Sequence, residues 1–143
     1  MQQEIAKYTV YIAFAQALLA TLVSLFFSEI LKFPPCVLCW YQRILMYPLV
    51  IILAVGILRK DRGVYLYVLP LSIIGMVIAF YHNLLYWNII PESQAPCLLG
   101  VSCTTKFIEY FGFITIPFLS FSAFLIITLC MVIYANYVKH TLK

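Results

Sequence analysis

Cys36 and Cys39 are separated by two residues, directly after Pro34-Pro35 and directly before Trp40-Tyr41-Gln42-Arg43. Two thiols at this spacing at a helix start close a small, strained and readily exchanged disulfide. Helix-terminal N–H groups and the helix dipole favour a thiolate there. Arg43 follows Cys39 by four residues and Cys36 by seven, so all three fall on one helical face. The chemistry such a face supports is thiol–disulfide exchange next to a fixed cation, which can hold an electron-rich oxygen. The ordinary alternative for Arg43 is snorkelling to lipid headgroups.

Cys97 and Cys103 form a second pair, with Gly100 between them. Alone, they read as a disulfide staple in a loop. Beside a first pair they read as one half of a relay, in which each thiolate attacks the next disulfide through a mixed intermediate. The residues leave the resting connectivity open between a Cys97–Cys103 bond and a crossed bond. Zinc is the competing reading of two cysteine pairs, but these spacings match no common finger pattern, so no metal is expected. His82 is a proton donor or hydrogen-bond partner for a lipid-soluble acceptor, or else an interfacial histidine. Cys130 reads as a small buried hydrophobe.

The elements that position these residues are set by composition. Of 143 residues, 65% are hydrophobic and 10% are charged. Soluble domains carry about 45–50% apolar and about 25% charged residues. Most of this chain is therefore dissolved in lipid. Four apolar stretches, about 8–27, 40–58, 64–82 and 114–137, each approach the 20 or so helical residues that cross a hydrocarbon core. Lipid offers no partners to open backbone groups, so spanning helices are the solution. The expected fold is an all-α membrane protein: a single domain over residues 1–143, built as a four-transmembrane-helix bundle. Its outer loops cover about 28–39 and 83–113. The first apolar run is too long, and lacks a cleavage site, to read as a signal peptide.

Six of the nine basic residues (Lys7, Arg59, Lys60, Arg62, Lys139 and Lys143) fall at one set of helix ends. The positive-inside rule then places both termini and the 58–63 turn in the cytoplasm. Cys36, Cys39, Cys97 and Cys103 fall on the opposite side, where disulfides persist. The net charge of +4 follows from this insertion pattern, and no nucleic-acid partner is expected. Aromatics gather at the outer boundary: Phe33, Trp40, Tyr41, Tyr81, Tyr86, Trp87, Tyr110, Phe111 and Phe113. They read as an interfacial belt, or as walls for a flat quinone ring. Residues 84–90 read as an extension of the third helix, and 106–111 as a short interfacial turn. Five scattered acidic residues and no glycine-rich phosphate loop leave hydrolysis and phosphate chemistry without support.

The run Pro35-Cys36-Val37-Leu38-Cys39-Trp40-Tyr41-Gln42-Arg43 resembles the DsbB family of membrane disulfide-bond formation proteins and its shorter BdbC-type members. The likeness extends over the chain: four helices, two outer cysteine pairs, and a histidine in Tyr81-His82-Asn83. It implies a monomeric, multi-pass protein of the cytoplasmic membrane. Such a protein reoxidises an extracytoplasmic, DsbA-like thioredoxin-fold thiol oxidase and passes the electrons to a quinone, ubiquinone or menaquinone. By the match, a partner thiolate attacks Cys97, Cys103 is released and attacks Cys36, and Cys39 becomes the thiolate at the quinone. Arg43 orients the quinone and His82 assists. Two features depart from the longer members. The second pair is more closely spaced, and Gln42 stands where some carry an acidic residue. The competing functions are a quinone or epoxide reductase similar to vitamin K epoxide reductases, whose CxxC lies later in the chain, and a membrane adaptor with structural disulfides.

Overall fold

The computed structural model describes residues 2–98, 100–106, 109–110 and 114–141. Four long helices dominate: α1 (Gln2–Leu25), α2 (Val37–Arg59), α3 (Val64–Tyr86) and α4 (Ile116–Thr141). A π-helical turn, Phe26–Ile30, prolongs α1. By length and composition, four segments are apolar enough to cross a membrane: Glu4–Ile30, Val37–Arg59, Val64–Tyr86 and Ile116–Thr141. The expected four-helix bundle is the fold. Two 3₁₀ turns (Glu92–Gln94 and Pro96–Leu98) and a two-residue antiparallel pair, β1 (Glu109–Tyr110) with β2 (Ile114–Thr115), complete the outer loop. Phe111, Phe113 and Lys143, and much of the expected 106–111 turn, lie outside the described residues.

The helices close a ring in which each packs on two neighbours, in the order α1, α2, α3, α4. In lipid, burial of apolar surface gives helices little reason to associate, so close packing over small residues does the work. Ala13, Ala17 and Ala79 are fully enclosed, beside Leu49, Leu53, Val68, Phe124, Ile127 and Met131. A Cβ on Gly75 would overlap the Phe124 ring, so glycine is what lets α3 and α4 approach. Ser72 and Thr128 lie with their hydroxyl oxygens 3.1 Å apart, a polar link between the same two helices. Leu22, Ile51, Leu58, Phe80 and Ile133 face outward, as lipid contact requires.

Several helix ends differ from the limits the apolar runs suggest. Three outer-side shifts bear on the site. Cys36, extended at φ −73° and ψ 172°, caps α2, and its sulfur accepts the Cys39 N–H at 3.4 Å. Cys39 therefore sits in the first helical turn rather than in a loop. The α3 helix continues through His82 and Asn83, which hydropathy reads as its end. Both are buried, and Asn83 Nδ2 donates to Ala79 O at 2.8 Å and Pro117 O at 3.0 Å. That second bond ties the outer end of α3 to the start of α4. Of the expected extension over 84–90, only the part up to Tyr86 is helical. The α4 helix starts at Ile116, because Ile114 and Thr115 pair as a strand.

Candidate active site

Pro34 and Pro35 fix an extended entry to α2. This presents Cys36 and Cys39 on the first turn, with sulfurs 3.0 Å apart and unbonded. Hydrogen bonding from Cys39 lowers the Cys36 thiol from 9.0 to about 4. Burial pushes the other way but is outweighed, and the His82 ring adds to the lowering. Cys36 is thus the acidic thiol of the pair.

The second pair is a disulfide, Cys97–Cys103, with Cα atoms 5.8 Å apart. It belongs to one buried cluster with Cys36, Leu38 and Leu85. Cys36 Sγ, a His82 ring nitrogen and Cys103 Sγ lie within 4.8 Å of one another. The bond to Cys97 takes the Cys103 sulfur out of any ligand set, so the triangle is a geometry for exchange. Two cysteine pairs that are 58 or more residues apart in the chain meet here because α2 and α3 are antiparallel neighbours and the outer loop folds back over them.

His82, 2% exposed, sits at the junction. Its Nε2 is 3.8 Å from Cys36 Sγ and 3.1 Å from Cys103 O. Its Nδ1 is 3.1 Å from Gln42 Nε2. The Gln42 amide donates there, so the neutral ring carries its proton on Nε2, the nitrogen facing both redox pairs. Gln42, which motif reading notes only as a departure from an acidic residue, is a site residue to which it assigns no role. Its spacing of three from Cys39 was the available signal, since it places both on one helical face.

Arg43 points across the bundle. Its Nη2 donates to Ser24 O at 3.0 Å, on α1 just before the π turn, and its guanidinium lies 5.6 Å from the Trp40 ring centroid. Instead of snorkelling outward it lines a cavity of about 140 Å³ together with Cys39, Tyr47, His82, Phe27 and Leu119. A cavity of about 150 Å³ suffices for benzene, so this one suits a single six-membered ring. Arg43 Nε and Tyr47 Oη are buried without a hydrogen-bond partner among the described residues. Buried donors left this way are costly unless something accepts from them. The donor set therefore fits a flat ring bearing carbonyl oxygens.

Around the outer disulfide, Glu92 accepts from Ser102 Oγ and, at 3.1 Å, from Thr104 Oγ1. These two residues flank Cys103. Cys130, by contrast, lies in the α4 core, apart from both pairs.

A family model described as "Disulfide bond formation protein DsbB" matches residues 6–134. The chain belongs to the DsbB family. Among DsbB-family relatives, a probable disulfide formation protein C 2 of Bacillus anthracis is 47% identical, covering 94% of each chain. The disulfide bond formation protein C of Bacillus subtilis is 50% identical over 85% of this chain and 88% of its own. A probable disulfide formation protein C of Halalkalibacterium halodurans is 52% identical over 80% and 83%. No solved structure gives a significant match. Membership in the DsbB family makes this multi-pass membrane protein a thiol–disulfide oxidoreductase of disulfide-bond formation.

Proposed function

We propose that the chain lies in the cytoplasmic membrane with both termini inside, reoxidises an extracytoplasmic thioredoxin-fold thiol oxidase, and delivers the electrons to a membrane quinone. The observation that carries this reading is the 4.8 Å triangle of Cys36 Sγ, His82 and Cys103 Sγ. It sets the two cysteine pairs within reach of direct exchange, without large movement of the outer loop.

The order is the one the likeness to the DsbB family implies, and the proximity of Cys103 to Cys36 supports its second step. A partner thiolate attacks Cys97, forming a mixed disulfide and releasing Cys103 as a thiolate. Cys103 attacks Cys36 of the oxidised inner pair, and the Cys36–Cys39 bond breaks. Cys39 leaves with the electron pair, and its side chain lines the cavity. The His82 Nε2–H lies 3.8 Å from the Cys36 sulfur and supports the thiolate that Cys36 carries once the inner pair is reduced. Arg43 Nε and Tyr47 Oη offer the donors that would hold the ring oxygens of an acceptor. A quinone bound there would supply the two-electron sink.

The test is turnover in lipid nanodiscs, with a reduced thioredoxin-fold oxidase and a short-chain quinone. Reduction of the quinone, matched by partner oxidation and lost in Cys39→Ser and Cys103→Ser, is the expected result. Undiminished quinone reduction by either variant overturns the relay.

A further inference from the structure

Glu92 stands five residues before Cys97, yet its carboxylate is bonded to both neighbours of Cys103. Ser102 Oγ also accepts the Thr104 N–H at 3.2 Å, which tightens the turn that carries Cys103. From the other side, His82 Nε2 lies 3.1 Å from Cys103 O. The outer loop is therefore closed twice. One closure is the Cys97–Cys103 bond. The other is the Glu92 clamp on Ser102 and Thr104. Thiol chemistry opens only the first.

We propose that Glu92 is a positioning residue for exchange between the two cysteine pairs, holding Cys103 beside Cys36 once the Cys97–Cys103 bond has opened. This rests on the relay order given above. When an incoming thiolate bonds to Cys97 Sγ, Cys103 departs with the electron pair of the broken bond. It then has two choices. It can return to Cys97 and expel the partner, or attack Cys36 and expel Cys39 as a thiolate. Both are attacks within one assembly, so effective concentration decides between them. A Cys103 on an untethered loop loses its concentration at Cys36. A Cys103 flanked by two charge-assisted hydrogen bonds keeps it. The close spacing of Cys97 and Cys103 puts the anchoring carboxylate on the same short loop.

The experiment uses the full chain in nanodiscs with Cys39→Ala and Cys97→Ala, which leaves Cys36 and Cys103 as the outer-side thiols. Equilibration with reduced and oxidised glutathione, followed by thiol labelling, gives the effective molarity of the Cys36–Cys103 bond. Glu92→Ala is expected to lower it roughly tenfold, the scale of losing a hydrogen bond to a charged acceptor. Glu92→Gln, which keeps an accepting oxygen, falls less. The Cys36–Cys39 equilibrium, read in a chain with all its cysteines, is expected to be unmoved by Glu92→Ala. An unchanged Cys36–Cys103 value in Glu92→Ala overturns the clamp. So does an equal fall in both equilibria, which marks general loosening. Failure of the parent to form the bond is a different result: it overturns the relay order, and the role of Glu92 with it.

Discussion

Gln42 Nε2 lies 3.1 Å from His82 Nδ1, joining α2 to α3 at the level of the cysteines. A glutamine is never ionised, so this link sets the ring's tautomer without adding charge. The nitrogen facing Cys36 is then a donor, suited to the thiolate that Cys36 carries in the reduced pair and to the nearby Cys103 carbonyl. Replacing Gln42 by Leu leaves buried Nδ1 without its partner, at a cost of about 1–3 kcal/mol. The expected outcome is a lower thermal midpoint in detergent together with slower transfer from Cys103 to Cys36, read by single-turnover quenching. Unchanged transfer would count against a role for the tautomer.

The Cys36 thiol gives a pH signature. Its pKa in the folded, reduced protein is about 4, against an ordinary 9.0. The shift is downward, so the stability it lends the reduced fold is complete above the ordinary thiol range and is lost as pH falls through about 4. Thiolate ultraviolet absorbance of the reduced protein should persist through neutral and mildly acidic pH and vanish near that value. Cys39→Ala removes the largest cause of the lowering, and the titration should then move up toward the ordinary range. A titration unmoved by Cys39→Ala would place the cause elsewhere.

Arg43 is expected to act on the acceptor and leave cysteine exchange alone. In Arg43→Met, the KM for a short-chain quinone should rise roughly tenfold, the scale of one charge-assisted hydrogen bond. Formation of the Cys36–Cys103 bond in a single turnover should keep its rate. Arg43→Lys should rescue poorly, because an ammonium's donors radiate from one atom and do not span from Ser24 O to the cavity as the guanidinium fork does.

Packing makes a prediction independent of redox chemistry. Gly75→Ala forces a methyl into the Phe124 ring. Overpacking of this kind costs about 1–3 kcal/mol. The thermal midpoint should fall while the spectroscopic helix content below the transition stays the same. A neutral effect would mean that α3 and α4 separate more easily than their contact suggests.

Much of the site was written in local spacing. Cys36, Cys39 and Arg43 share a face because three- and four-residue offsets do so on any helix, and apolar length marked the four spans. Other parts depended on contacts between distant segments. Gln42 meets His82 across 40 residues, and Glu92 meets Thr104 across 12. No periodicity encodes such pairings. The helix ends were obscured for a related reason. His82 and Asn83 look like an exit from the membrane because they are polar, but both are buried, and the His82 ring and the Asn83 amide nitrogen make their hydrogen bonds inside the protein. Hydropathy counts side chains one by one and does not register satisfied pairs.

The burial of the sulfurs sets the terms of access. Cys97 and Cys103 are each 3% exposed and Cys36 is 6% exposed. Small monothiols reach these three sulfurs only slowly, because little of each is open at any moment. On the proposed relay order, a partner reaches Cys97 only by docking closely enough to lift its cover. Such a chain behaves as an insulated conductor: its oxidising power drains through a fitted plug and is protected from short circuit by the background thiol pool. Fidelity of electron flow would then rest on who can touch the first contact, with intrinsic reactivity free to be high.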